Sequence, residues 1–140
     1  MAVSAVLVGL AGAAAGDGAG DKERLQGEWA ALSIKFGDTT LPDKAVMKSN
    51  LVIKGDVYVG TINQLDMGRH RIALDESKDP KQIDLTPIWE GGGGTVKGIY
   101  KLDGDTLTVC RPITAAGARP KEFKAGEGVG VGVYKRAAKK

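Results

Sequence analysis

From Leu25 onward the apolar residues fall in short runs that alternate with polar ones, and turn-forming residues separate the runs. Alternation sends successive side chains to opposite faces of an extended chain, so the pattern predicts strands rather than helices. The first predicted strand is Gly27 to Phe36, with Ala30, Leu32, Ile34 and Phe36 in phase. Trp29 is out of phase with them, which predicts a bulge or bend after Trp29, a device that lets a long strand close a sheet. Leu41-Pro42-Asp43 reads as a turn leading into one helical turn through Ala45, Val46 and Met47, with Pro42 near the start.

Leu51 to Lys54 and Val57 to Asn63 flank Gly55-Asp56, a connection of hairpin length. A turn is predicted at Met67-Gly68, followed by a strand Arg69 to Asp75 that holds His70, Ile72 and Leu74 in phase. After a turn at Asp79-Pro80-Lys81, Ile83 and Leu85 share a face that extends toward Pro87 and Trp89. The run Gly91 to Gly94 forbids regular structure and reads as a loop. Val96, Tyr100 and Leu102 lead through Asp103-Gly104 into Leu107 and Val109, the clearest hairpin signal in the chain. The last strand, Val129 to Arg136, carries Val129, Val131 and Val133 on one face and Gly130 and Gly132 on the other, where something can approach closely. About eight short strands joined in sequence by tight turns predict an all-β, antiparallel up-and-down sheet that curls into a barrel and removes its own edges. The interior of such a barrel is just wide enough to be filled by side chains or to hold one small ligand.

Composition narrows what this barrel can do. A length of 140 residues is one domain's worth, and 21 glycines with 5% aromatics suit many turns around a thin core. One cysteine and one histidine exclude an internal disulfide and a zinc centre of the Cys/His kind, and they leave no basis for a metal or cofactor. Cys110 reads as a small buried hydrophobe or an inert surface thiol. The formal charge of +3 is mild. Its one cluster, Lys135 to Lys140, reads as a solvated terminus, and the aromatics are too few for a nucleic-acid stacking platform, so no nucleic-acid partner is expected.

Residues 1–20 stand apart. An apolar run, Val3 to Leu10, passes into Ala11-Gly12-Ala13-Ala14-Ala15 with no Lys or Arg before it. It is shorter than the roughly 20 residues a membrane span needs, so no stable span is expected. Small residues in A-x-A spacing after it predict an export signal cleaved near Ala15 or Ala19; the absent basic start leaves a flexible Ala/Gly leader as the alternative. The expected organisation is therefore 1–20 leader, 21–136 barrel domain and 137–140 basic tail, in a protein exported to the periplasm, envelope or medium.

Candidate chemistry is sparse. His70, in phase with Ile72 and Leu74, faces the interior as a ligand contact, a metal ligand or, most simply, a hydrogen-bonded core residue. Ser33, Ser49 and Ser77 supply hydroxyls for a triad, but no nucleophile elbow singles one out. Asp103-Gly104-Asp105 has acidic spacing that suits a hairpin better than a calcium loop, and the glycine runs lack the following helix that a phosphate cradle needs. Trp89, at the root of the glycine loop, either closes over a barrel mouth onto a ligand or caps the core. Arg111-Pro112 and Arg119-Pro120 flank a loop; their charges read an anionic group or are simply solvated, and Asp84 or Glu122 is expected to pair with one of them. No catalytic constellation emerges, so a non-enzymatic barrel is expected. Its candidate ligand residues are Trp89, His70 and Tyr100, for a small apolar or amphipathic ligand. The alternative is a filled barrel that meets a protein partner through an edge or loop.

The triplet Gly27-Glu28-Trp29 resembles the start of a lipocalin-like domain, and Arg136 stands where such barrels place an arginine across the base from that Trp. Further motifs follow in order: Pro80-Lys81-Gln82-Ile83-Asp84-Leu85, Gly98-Ile99-Tyr100-Lys101-Leu102-Asp103-Gly104-Asp105-Thr106-Leu107-Thr108-Val109-Cys110, Arg119-Pro120-Lys121-Glu122-Phe123, and Tyr134-Lys135-Arg136. Together they resemble a family of small, often exported lipocalin-like domains of unknown function, abundant in planctomycete bacteria, over roughly Asp21 to Arg136. The resemblance implies a lipocalin-like barrel closed at its base by Gly27, Trp29 and Arg136. It also implies a bacterial envelope or secreted setting, and it implies no reaction.

Overall fold

The computed structural model describes residues 20–137. Its strands are β1 (Gly27–Phe36), β2 (Thr39–Thr40), β3 (Asn50–Lys54), β4 (Val57–Ile62), β5 (Leu65–Asp75), β6 (Lys81–Pro87), β7 (Val96–Asp103), β8 (Thr106–Pro112) and β9 (Val129–Arg136). Two single-turn helices accompany them, α1 (Asp21–Arg24) and α2 (Asp43–Val46). From β3 onward each strand pairs antiparallel with the next, β3 pairs with β1, and β9 returns to β1. Eight strands thus close an up-and-down barrel, and β2 is a two-residue appendage folded back on β1. Among the described residues no helix is long and apolar enough to cross a membrane.

Antiparallel closure sorts the connections between two ends. The base carries α1, the turns at Gly55-Asp56 and Gly104-Asp105, and the 76–80 connection. The mouth carries the 37–49 segment with α2, the Asn63-Gln64 turn, the glycine-rich 88–95 loop and the long 113–128 loop.

Three local readings of the sequence need correction. In β1 the phase change falls at Leu32, not directly after Trp29: β9 places Tyr134 opposite Ala31 and Val133 opposite Ser33, so Leu32 is the bulged residue. Trp29 and Ala31 face inward before it and Ile34 and Phe36 after it, which turns Ala30 outward and leaves Leu32 54% exposed. Met67-Gly68 is not a turn. The turn is Asn63-Gln64, both with left-handed φ (51° and 71°), as a type I′ hairpin requires. Gly68, at φ 91°, instead sits in a bulge where the register jumps from Val59 opposite Arg69 to Thr61 opposite Asp66. Finally, Asp103 pairs with Thr106, so the turn between β7 and β8 is Gly104-Asp105, one residue later than Asp103-Gly104.

The glycine face of β9 points inward. A Cβ on Gly130 would lie 2.7 Å from the Phe36 ring, and one on Gly132 would lie 2.7 Å from the Tyr134 ring, so glycine here makes room for two aromatic side chains. Leu51, Ile53, Ile83, Leu85, Leu107 and Val109 supply most of the remaining aliphatic core. Outside the barrel, the 113–128 loop covers part of β7 and β8. There Arg119 donates to the Gly98 carbonyl (2.8 Å) and lies 2.8 Å from Asp84 Oδ1, a close ion pair off the best hydrogen-bond angle. Cys110 is buried under the same loop, with its thiol against the Glu122 carbonyl at 3.4 Å. Burial pushes that thiol up from its ordinary pKa, which makes it a poor nucleophile.

The base is closed by a stacked clasp. Trp29 is wholly buried and donates from Nε1 to the Leu25 carbonyl at 2.9 Å. The Arg136 guanidinium lies 4.3 Å above the indole and donates to the carbonyls of Gln26 and Arg24. Gly27 opens β1 beside it, with Arg136 Nη1 3.5 Å from where a Cβ would stand.

Candidate ligand site at the barrel mouth

Alternation along four strands brings polar side chains into the upper interior. β4 contributes Tyr58, β5 His70, β8 Arg111 and β9 Tyr134, each in phase with core neighbours such as Ile72 and Val109. Tyr58, Arg111 and Tyr134 line one cavity together with Ile34, Phe36 and Val109, and Ile62 and Ile113 form its rim. The cavity measures about 30 Å³. That accommodates a water-sized occupant, whereas pockets for organic ligands run to about 300–1,000 Å³.

His70 packs edge-on against two rings, Tyr58 at 6.3 Å and Trp89 at 5.1 Å between centroids. Its Nδ1 is buried without a hydrogen-bond partner. Burial, reinforced by the Arg111 cation, lowers the imidazole pKa from its ordinary value, so His70 is neutral at pH 7. Trp89 lies beyond the end of β6 and covers His70 from outside; its ring rests so closely on Gly68 that a Cβ there would stand 2.6 Å from it. An open groove beside Trp89 is lined by Asp66, Gly68, Arg69 and Ile88.

Of the three residues singled out as ligand contacts, His70 and Trp89 are therefore neighbours at the mouth. Tyr100 is not with them: it faces inward from β7, but its hydroxyl donates to Asp21 Oδ2 at the base, at 2.7 Å. The residues that accompany His70 instead are Tyr58, Arg111 and Tyr134. Arg111 carried a readable signal, since it continues the alternation of Leu107 and Val109 into the barrel. Tyr134 became readable only once the Leu32 bulge set the register of β9 against β1.

All three tyrosines of the chain are buried, and burial raises the pKa of each; at Tyr100 the Asp21 carboxylate adds to the effect. A phenol raised on folding contributes stability that is whole below its unfolded value of about 10 and is lost as pH rises beyond it, because the unfolded chain releases the proton first. Tyrosinate absorbance is accordingly expected to stay flat through pH 10 (about the free phenol's midpoint) and then to rise together with loss of the β-sheet circular dichroism signal. A smooth titration centred on the free value while the sheet persists would contradict the burial of these rings.

Comparison with family models, curated proteins and solved structures finds no match to this chain.

Proposed function

We propose that the chain is a non-enzymatic, exported lipocalin-like barrel that acts by meeting a protein partner at its mouth, and that it does not carry a molecule enclosed in its interior. The observation that carries this reading is volume. The mouth cavity, about 30 Å³, has no room for an acyl chain or ring. The same end of the molecule presents Leu65 (67% exposed), Met67, Ile88, Trp89 and Ile113 to solvent. Apolar side chains gathered at one end suit a contact surface better than a solvated one. The apolar run at Val3 to Leu10 and the order of motifs from Gly27 to Arg136 support the exported, planctomycete-type setting.

Native mass spectrometry of the protein taken from its host's envelope tests the reading. The expected result is a barrel free of organic adducts, part of it in a protein complex that is lost when Met67 and Trp89 are both replaced by serine. A stoichiometric organic molecule larger than formate released on denaturation would overturn it in favour of a carrier, and a complex indifferent to the double substitution would remove the mouth as the contact surface.

A further inference from the structure

Arg111 is the charged side chain whose position the contact surface leaves unexplained. Alternation with Leu107 and Val109 sends it into the barrel, beside the buried rings of Tyr58 and Tyr134. Arg24, Arg71, Arg119 and Arg136 each have a carboxylate within 4.0 Å; among the described residues Arg69 and Arg111 have none, and of these two it is Arg111 that lines the cavity. Arg111 is partly exposed; its guanidinium interacts with the Tyr58 hydroxyl, and its remaining N–H donors can take a further acceptor. The Tyr58 and Tyr134 hydroxyls border the same small cavity and can donate to whatever occupies it.

We propose that Arg111 and the hydroxyls of Tyr58 and Tyr134 form a site for one small monovalent anion, a halide or a carboxylate no larger than formate. Charge sets the valence: one fixed cation faces the cavity, and the adjacent His70 is neutral. Size sets the limit, because a volume of about 30 Å³ admits a chloride or the head of a formate and excludes a longer acid. The donors match this chemistry, since a guanidinium and phenolic hydroxyls form charge-assisted bonds to an anion. The inference stands whether or not the mouth also meets a protein.

His70 is the chain's single histidine and stands beside this cluster, so its imidazole resonances report on the site without labelling elsewhere. The full chain is titrated with sodium chloride and, separately, sodium formate, with ionic strength held by sodium sulfate. The expected result is a saturable shift of the His70 resonances and an upward shift of its titration midpoint, as the anion offsets the Arg111 charge. Arg111→Gln is expected to abolish saturation, and Tyr58→Phe to weaken it roughly threefold to tenfold, the worth of one hydrogen bond. Tyr58→Phe keeps the ring that packs the core, so it tests the site even if Arg111→Gln fails to fold. The anion that saturates at lower concentration tells a halide site from a carboxylate site. No saturable shift from either anion, an equal shift in Arg111→Gln, or an equal effect of sulfate overturns the proposal.

Discussion

Trp29→Ala is expected to lower folding stability by about 3–5 kcal/mol, the range for a large aromatic removed from a close-packed core. The indole is wholly buried, and three consequences of removing it coincide. A cavity opens in the lowest layer of the barrel; the Leu25 carbonyl loses its Nε1 donor at 2.9 Å; and Arg136 loses the ring it stacks on at 4.3 Å. Because Arg136 also holds the Gln26 and Arg24 carbonyls, loosening it releases the chain that leads from α1 into β1. Trp29→Phe separates these effects, since it keeps an aromatic face for the guanidinium but abolishes the Nε1 bond. Urea unfolding of both variants checks the expectation, with Phe intermediate. A loss under about 1 kcal/mol for alanine, far below the buried-aromatic range, would mean that the ring is not the plug of the base.

The barrel was legible because its strands carry period-two patterns that survive in isolation. His70, Ile72 and Leu74 in β5, and Leu107 and Val109 in β8, point where the alternation sends them. What was not legible depends on how neighbouring strands slide past each other. Ala30 and Ala31 are equivalent by hydrophobicity, so nothing local says which faces in, and the bulge at Leu32 is fixed by β9 on the far side of the closure. Gly68 signals either a turn or a bulge; the choice falls to Asn63-Gln64, which takes the turn and lets β5 run on beneath Trp89. The candidate site shows the same limit. Alternation correctly sends Tyr100 inward, yet height within the barrel comes from strand stagger, and stagger puts Tyr100 at the base while Tyr58 and Arg111 join His70 at the mouth. Arg111 was obscured by a different expectation, that a charge beside Pro112 belongs to a solvated loop.

The buried carboxylate at the base yields the second large effect. Asp21 is 1% exposed, and its Oδ2 accepts from Lys81 Nζ at 2.8 Å and from the Tyr100 hydroxyl at 2.7 Å, while its backbone N–H donates to Glu76 Oε2 at 3.2 Å. These bonds tie α1 to β6 and β7. Asp21→Ala is expected to cost about 1.5–3 kcal/mol, the worth of a hydrogen bond to a charged group, and to strand the Tyr100 hydroxyl without an acceptor. Lys81 contributes less of this, because its side chain is 37% exposed and remains solvated when its partner is lost. Asp21→Asn, which still offers an oxygen to Tyr100, is expected to cost less than alanine. Burial by itself raises the Asp21 carboxyl, but the bonds from Lys81 and Tyr100 outweigh it and hold the group below its ordinary value of 3.8. Its stabilising contribution is therefore whole above that value and lost as pH falls through the lower folded one, since the unfolded chain takes up the proton first. Urea midpoints measured from neutral pH down to about 2.5 should fall more steeply for the native protein than for Asp21→Ala as the pH passes below the free carboxyl range. Parallel acid limbs in the two proteins would show that the carboxylate is not the ionised anchor of the base.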